Sequence, residues 1–430
     1  MIWIWEALNK STSAGGESLF LSRRLKRQRN PVWISRFLNR ADGEKDPPAS
    51  RSRFVQSFLC LFLAALLLAG CASPEPEQAP SVLSQPEETA PSSKTAAADP
   101  IQKILDAMTI EQRVGQLFLA RCDAAAALDD IPACHLGGLV LFAVDFENHT
   151  PDSLRQTLTE YQQAADIPLL LAVDEEGGTV TRISRFPSFR SQPFPSPSEA
   201  YASGGLVQAL TNEEEKCQLL QSLGINVNLG PVCDITTDPG AFMYRRSLGQ
   251  ETGATADFVS GTVKVMNAYS IGSVLKHFPG YGNNADTHTG LAVDDRSLEE
   301  LEQSDLVPFA AGIEAGCGAV LVSHTIVQAL DADAPASLSP KVHQYLRDTM
   351  GYAGVILTDD LSMQAITDLY GAGEAAVLAV QAGNDLLCST DYAAQYEAVL
   401  HAVLNGRIDF TALNDSVMRV LKWKQTLNML

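Results

Sequence analysis

The stretch from Lys276 to Gly290, KHFPGYGNNADTHTG, places titratable side chains next to residues that bend the backbone. It holds a lysine, two histidines and an aspartate among glycine and proline residues. Lysine, histidine and carboxylate side chains can bind hydroxyl groups and move protons near neutral pH. Glycine and proline allow sharp turns in surface loops, where binding and catalytic residues concentrate. The stretch is therefore a candidate for part of an active site.

Other polar side chains follow the short apolar runs that the sequence predicts to be strands. One such ending would be unremarkable, but five strand endings of this kind occur between Ile101 and the C-terminus. Burying an ionisable group costs free energy unless the group is paired. A role as hydrogen-bonded core residues therefore does not explain so many polar strand endings. We expect a common site built from these endings, which comprise Asp174, Asp234, Lys276 with His277, His324, and Asp359 with Asp360.

The elements that must position these residues alternate along the chain. Continuous apolar runs of β-branched residues predict strands buried on both faces, as in parallel sheets covered by helices. Longer amphipathic stretches lie between the runs, and several of them end in glycine. Eight such units in the folded part predict a (β/α)8 barrel, with a doubly wound open sheet as the alternative. The predicted strands cover 116–120, 138–143, 168–174, 225–232, 272–278, 318–324, 354–360 and 384–388. The predicted helices include 151–166, 212–224, 254–270, 298–316, 339–351 and 373–383.

Four separated motifs follow one another along the chain: VDEEGG before VTR, RRSLG, KHFPGYG followed by DTH, and GVILTDDLSM. In this order they resemble the motifs of glycoside hydrolase family 3, and most closely those of its β-N-acetylglucosaminidases. The resemblance covers residues 101 to about 425. The sequence departs from the commonest family pattern at Tyr281, where a histidine is common, and at Leu248, where a phenylalanine is frequent. The loop NNADTH, residues 283–288, is also one residue shorter than the commonest family loop.

The resemblance implies the catalytic residues. Asp359, in LTDDLSM, matches the nucleophile of a retaining glycosidase, and the adjacent Asp360 is the competing choice because consecutive strand residues point to opposite sides. Family members of this type use a histidine as acid/base with an aspartate two residues before it. Asp286 and His288 reproduce that spacing, so His288 would donate a proton to the leaving oxygen and Asp286 would orient its ring.

The resemblance also implies residues that hold the sugar. Asp174 matches an acidic residue that binds sugar hydroxyls. Arg246 matches an arginine that binds a hydroxyl or carboxylate through two hydrogen bonds, and the adjacent Arg245 is the competing choice. Lys276 and His277 would donate to hydroxyls or pair with barrel carboxylates such as Asp234. The remaining candidates are Arg182, as a supporting charge near Asp174, and Glu175 and Glu176, which could be catalytic carboxylates in another class of glycosidase.

The function that the resemblance implies is a retaining exo-β-N-acetylglucosaminidase acting on peptidoglycan fragments or chitin-like oligosaccharides. A β-glucosidase is less expected, because the family's β-glucosidases usually take their acid/base from a second domain and this chain ends at Leu430. A phosphorylase of the same family is a further alternative, since a histidine repels phosphate less than a carboxylate does. Two other classes are a metal-dependent hydrolase, using His277, His324 and Asp359, and a sugar-binding protein without catalysis. We expect no cofactor, no metal and a monomer.

The N-terminal part of the chain differs in character from the rest. Residues 1–53 carry 11 Lys and Arg against 5 Asp and Glu, whereas the remainder carries 20 against 46. Residues 54–71 are an uncharged apolar run ending in LAGC, which looks like a lipoprotein signal with Cys71 as the lipidated residue. An uncleaved signal anchor is the alternative. Residues 72–100, rich in Pro, Glu, Ala and Ser, predict a disordered tether, and 101–430 the folded domain. We therefore expect an exported protein anchored to the membrane.

Charge and cysteine content exclude other classes of protein. The formal net charge of -20 argues against nucleic-acid binding. The eight cysteines include no CxxC pair and no regular spacing, which argues against a zinc site and a disulfide framework. The simplest role for the cysteines of the folded domain is that of buried apolar side chains.

Overall fold

The computed structural model of the protein describes residues 99–282 and 290–430. Eight short strands form the centre of the structure, and all eight lie where the apolar runs predict them. They are β1 (Phe118–Arg121), β2 (Gly138–Leu141), β3 (Leu170–Val173), β4 (Val227–Asn228), β5 (Gly272–Phe278), β7 (Ala319–Val322), β9 (Val355–Thr358) and β10 (Leu387–Ser389). Two further strands, β6 (Val293–Asp294) and β8 (Ile326–Val327), pair with each other outside this sheet.

The eight strands form a nearly closed parallel barrel. Their order is β10-β1-β2-β3-β4-β5-β7-β9, and every neighbouring pair is parallel. An isolated parallel bridge between Leu357 and Leu386 joins β9 to the start of β10. This ring confirms the (β/α)8 prediction and shows that the open-sheet alternative is wrong.

Thirteen α-helices are present among the described residues. Three of them begin at a proline whose preceding side chain, that of Thr150, Ser196 or Ser339, accepts a bond from the backbone N–H three residues on. The helices are α1 (Pro100–Ala107), α2 (Ile110–Gly115), α3 (Ala127–Cys134), α4 (Pro151–Ala164), α5 (Pro197–Leu223), α6 (Thr252–Ala268), α7 (Leu298–Gln303), α8 (Leu306–Glu314), α9 (Pro340–Gln344), α10 (Gln364–Thr367), α11 (Ala372–Ala382), α12 (Tyr392–Leu404) and α13 (Phe410–Thr426).

Some predicted boundaries are wrong. Of the run 225–232, only Val227–Asn228 is regular strand, β4. The chain then passes through a cis Gly230–Pro231 peptide and keeps an isolated parallel bridge to β5 between Val232 and Lys276. The predicted helix 298–316 is two helices, α7 and α8, separated at Ser304 and Asp305. The stretch 339–351 begins as α9 and continues as a π-helical turn, Tyr345–Thr349.

Side chains of the barrel strands alternate between the barrel interior and the helical layer. In β7, for example, Ala319 and Leu321 belong to the interior cluster, whereas Val320 and Val322 pack against the surrounding helices. Both sets are fully buried, which explains why the strands read as continuous apolar runs. Trp423 of α13 closes the N-terminal end of the barrel: a Cβ at Gly272 or at Gly318 would overlap its indole ring.

Lys424, the residue after this tryptophan, has no carboxylate partner among the described residues. It is fully buried, and its Nζ donates to Gln116 Oε1 at 2.6 Å. Burial lowers the pKa of the Lys424 ammonium from 10.5 to about 7. Lys424 therefore destabilises the folded state at neutral pH relative to a neutral side chain.

We expect Lys424→Met to be more stable than the wild type at pH 7 and to lose this advantage by about pH 10.5. Between those values the unfolded wild-type chain binds the proton that the folded protein has released, so its free energy of unfolding rises with pH. The shift corresponds to on the order of 5 kcal/mol, reduced by the hydrogen bond that Gln116 loses. Denaturant unfolding of both proteins at pH 7, 9 and 10 measures this, and parallel pH profiles would contradict it.

Candidate active site

The uppermost layer of the barrel interior is chemically different from the layers below it. Each barrel strand has a last apolar residue in the interior cluster, such as Ala172, Val274 and Leu357. The residue two positions further on points to the same side of the strand, into the open mouth. We call this set the mouth layer; its members are Arg121, Phe142, Asp174, Pro231, Lys276, Ser323, Asp359 and Cys388.

Asp359 and Asp360 have different surroundings at the end of β9. Asp359 follows Val355 and Leu357 in the alternation and therefore faces the mouth, and its Oδ1 accepts a bond from the Asp360 N–H at 2.9 Å. The Asp360 carboxylate turns towards the next strand, where Thr390 donates to it from Oγ1 at 2.6 Å and from its N–H at 3.2 Å. Ser362 N–H donates to the same carboxylate. Asp360 therefore orders the loop, and Asp359 is the carboxylate facing the barrel axis.

His324 supports this strand end from the outside. Its Nε2 donates to the Asp360 carbonyl at 2.9 Å, and its Nδ1 lies 2.7 Å from Ser337 Oγ. The side chain is fully buried. Within residues 99–282 and 290–430, no three His, Cys, Asp or Glu side chains converge as metal ligands would. His324 thus positions the backbone next to Asp359.

Lys276 lies between two carboxylates from the loop after β3. Its Nζ is 2.6 Å from Asp174 Oδ1 and 2.6 Å from Glu176 Oε1. Burial alone would lower the pKa of Lys276, but the charges of Asp174 and Glu176 outweigh burial and raise it. Two of the three ammonium hydrogens have carboxylate partners, which fixes the ammonium group in the mouth.

Arg246 binds Glu176 from the other side. Its Nε and Nη2 lie 2.9 and 2.7 Å from the two carboxylate oxygens of Glu176, in a bidentate pair. Burial would raise the pKa of Glu176, but Arg246 and Lys276 outweigh it and hold that pKa well below its usual range. The neighbouring Arg245 is exposed. Arg246, rather than Arg245, therefore belongs to the charge network of the mouth.

His277 continues this network towards the loop after β4. Its Nδ1 is 2.8 Å from Asp234 Oδ2, and its Nε2 is 3.2 Å from Arg246 Nη2. Because arginine can only donate, we assign a neutral ring with the proton on Nδ1. Of the two residues expected to pair with Asp234, only His277 does so, whereas Lys276 pairs with Asp174 and Glu176. Asp234 also accepts from the N–H of Tyr281 at 2.8 Å.

Arg182 and Glu175 have separate roles in the loop after β3. Arg182 Nη2 lies 3.8 Å from Asp174 Oδ2, and its Nε is buried without a hydrogen-bond partner among the described residues. Glu175 points away from the mouth and accepts bonds from the backbone N–H groups of Arg182 and Ile183. Its side chain therefore holds the loop that carries Arg182, which argues against Glu175 as a catalytic carboxylate.

One part of the mouth layer has no counterpart in the sequence prediction. Arg121 lies 4.3 Å above the Phe142 ring and pairs with Asp145 at 2.9 Å, while Arg182 lies 5.4 Å from the same ring. The available signal was that Arg121 also ends a strand. Arg121 and Phe142 form the wall of the mouth next to Arg182.

The thiol of Cys388, in the mouth layer at the end of β10, responds to charges on both the Asp359 side and the Lys276 side of the mouth. Burial and the charges of Asp360, Asp359 and Asp174 raise the pKa of the thiol, and Lys276 opposes them. The charges of the nucleophile candidate and of the sugar-binding candidates thus both act on this thiol. All six cysteines among the described residues are free, and four of them are buried: Cys122, Cys217, Cys233 and Cys317.

The structure does not test every predicted site residue. Asp286 and His288 lie in 283–289 and Cys71 in 1–98, all outside the described residues. The chain is firmly held on both sides of 283–289: Tyr281 bonds to Asp234, and Asp294 bonds to Arg296, whose guanidinium also reaches Asp305. The helices of the described residues are too short or too polar to cross a membrane.

Comparison with known families identifies a match over most of the folded part. Residues 109–423 match the family model described as glycosyl hydrolase family 3 N terminal domain. A Beta-hexosaminidase of Stenotrophomonas maltophilia (strain R551-3) is 33% identical over 292 residues, covering 65% of this chain and 83% of the relative. Beta-hexosaminidase A of Pseudoalteromonas piscicida is 31% identical over 320 residues, or 68% of this chain.

A solved structure gives the same assignment. It is a glycoside hydrolase family 3 beta-N-acetylglucosaminidase from Paenibacillus sp. str. FPU-7, with a TM-score of 0.70 and 34% identity over 75% of this chain. The chain spans 54% of the Pseudoalteromonas relative and 63% of the Paenibacillus chain.

Proposed function

The chain belongs to glycosyl hydrolase family 3, and from this premise we propose that it is a retaining exo-β-N-acetylglucosaminidase. Its substrates would be peptidoglycan-derived or chitin-like oligosaccharides. The observation that carries the proposal is the mouth layer, in which Asp359 faces the barrel axis together with Asp174 and Lys276. Relatives named beta-hexosaminidase support the choice of an N-acetylated sugar.

The proposed reaction has two steps. A carboxylate oxygen of Asp359 attacks the anomeric carbon, the bond to the leaving oxygen breaks, and that oxygen takes a proton from His288. His288 then removes a proton from water, the water oxygen attacks the same carbon, and the bond to Asp359 breaks. Asp286 keeps the His288 ring oriented. Two inversions return the sugar in the β configuration.

Charged groups around the mouth would bind the hydroxyls of the terminal sugar. Asp174 can accept from two hydroxyls, and Lys276, fixed by its carboxylates, can donate to a third. The unpartnered Nε of Arg182 is a donor next to Asp174. Arg246 and His277 already bond to each other, so a hydroxyl reaching them would insert into an existing network. These closely spaced donors and acceptors suit the binding of one terminal sugar, as exo-cleavage requires.

Cleavage of a chromogenic N-acetyl-β-glucosaminide, with and without inorganic phosphate, tests the proposal. We expect free N-acetylglucosamine, released first as the β anomer and at a rate independent of phosphate. The matched β-glucoside should be cleaved far more slowly. Release of sugar 1-phosphate would identify the phosphorylase instead, and preference for the glucoside would identify a β-glucosidase.

We also propose that the protein is exported and anchored through a lipid on Cys71. The basic residues of 1–53, followed by the apolar run 54–71 with its LAGC ending, support this. Cys71→Ser should shift the protein from the membrane to the soluble fraction, with unchanged activity. An unaltered membrane fraction would contradict lipidation at Cys71 and favour a signal anchor.

A further inference from the structure

Phe242 is an exposed aromatic side chain at the rim of the barrel mouth. It lies in the loop after β4, between Asp234 and Arg246 in the sequence, and 41% of its surface is accessible. The neighbouring Met243 is buried with Val232 and Tyr281, so Met243 supplies the apolar packing that holds this part of the loop. The exposure of Phe242 therefore has no explanation in the packing of the loop.

Phe242 is the outer member of a row of three rings in contact. Its ring centroid is 5.8 Å from that of Tyr281, at an interplanar angle of 47°. Tyr281 in turn meets His277 edge to face, with centroids 5.4 Å apart. His277 contacts Arg246 in the sugar-binding network. This row of rings thus leads from the proposed site of the terminal sugar outwards to the rim, where Phe242 meets solvent.

This side of the mouth is where a leaving group would lie. Tyr281 immediately precedes the segment that carries the proposed proton donor, and the leaving oxygen must be next to that donor. The chain after that segment also exposes apolar side chains, with Leu291 43% and Val293 44% accessible. Two of the residues proposed to bind the terminal sugar, Asp174 and Arg182, lie in the preceding loop, after β3.

We propose that Phe242 is a specificity-determining residue, on whose exposed ring the leaving-group sugar of the substrate stacks. The inference rests on the proposed function, since it names the part of the substrate beyond the cleaved bond. A pyranose ring has an apolar face of C–H groups, and an aromatic ring covers that face while the hydroxyls stay solvated. Rigid aromatic side chains provide such contacts at low entropic cost.

Phe242→Ala should lower kcat/KM about five- to tenfold for N,N′-diacetylchitobiose, whose leaving group is a sugar. It should leave kcat/KM for methyl N-acetyl-β-glucosaminide within twofold, because a methyl group does not reach the ring. Phe242→Tyr keeps the ring and should behave as wild type. Phe410→Ala is the matched control, since Phe410 is 43% accessible and lies on α13, away from the mouth.

A binding measurement separates this inference from the proposed function. In an Asp359→Asn background, calorimetry should show the disaccharide binding more tightly than N-acetylglucosamine, and Phe242→Ala should remove that difference. Equal losses for both substrates, or no loss for either, would overturn the role of Phe242. If the wild type cleaves neither substrate, the proposed function fails, and the binding difference alone decides whether Phe242 contacts the second sugar.

Discussion

Asp359→Asn is expected to lower kcat at least a thousandfold for N-acetyl-β-glucosaminides. The amide has the shape of the carboxylate and can keep the bond from the Asp360 N–H, but it cannot attack the anomeric carbon. Losing covalent catalysis corresponds to about 4 kcal/mol or more in the activation free energy. Steady-state kinetics with a chromogenic substrate measures the effect, and binding of N-acetylglucosamine should persist.

Asp360→Asn is the matched control for this substitution. Asp360 accepts bonds from Ser362 and Thr390, so its replacement should lower the free energy of unfolding by about 1 to 3 kcal/mol. Its effect on kcat should be much smaller than that of Asp359→Asn. A loss below tenfold in Asp359→Asn, with sugar binding intact, would show that another residue is the nucleophile.

His288→Ala is expected to have the second largest effect, and that effect should depend on the leaving group. A sugar leaving group departs as a poor alkoxide unless it is protonated, so kcat should fall by about 100- to 10,000-fold for N,N′-diacetylchitobiose. A 2,4-dinitrophenyl leaving group needs little protonation, so formation of the intermediate should slow much less. Pre-steady-state release of dinitrophenolate measures that step separately from hydrolysis.

His401→Ala serves as the control for His288, because His401 is exposed on α12. It should leave both rates unchanged. Equal losses with the two leaving groups in His288→Ala would argue against His288 as the proton donor. Asp286→Asn should lower the rate with the sugar leaving group by a smaller factor, because the imidazole remains but is no longer held by a carboxylate.

The barrel strands could be predicted from the sequence because burial on both faces leaves a direct signal in apolar runs. The terminal helices α12 and α13 were missed, although α13 supplies Trp423 and closes the barrel. No polar strand ending marks the position of these two helices in the sequence. Their packing contacts are with residues distant in sequence, so the local pattern does not reveal them. The end of β4 was also beyond sequence reasoning, since Leu229 to Val232 is as apolar as a strand.

The candidate site was predictable in its members but not in its pairings. Alternation from the last interior residue points Asp174, Lys276 and Asp359 into the mouth, and this follows from strand positions alone. That Lys276 pairs with Asp174 rather than Asp234 depends on the relative heights of three strands, which the sequence does not specify. Arg121 was missed because its partner Asp145 belongs to the next loop.

Trapping the glycosyl-enzyme tests the central claim most directly, namely that Asp359 forms a covalent bond with the sugar. The wild type would be inactivated with a 5-fluoro N-acetylglucosaminyl fluoride, digested and analysed by mass spectrometry. We predict one modified peptide, with the fluorosugar on Asp359 and no label in Asp359→Asn. A label on Asp360, Glu175 or Glu176, or continued turnover without any labelled peptide, would contradict the account.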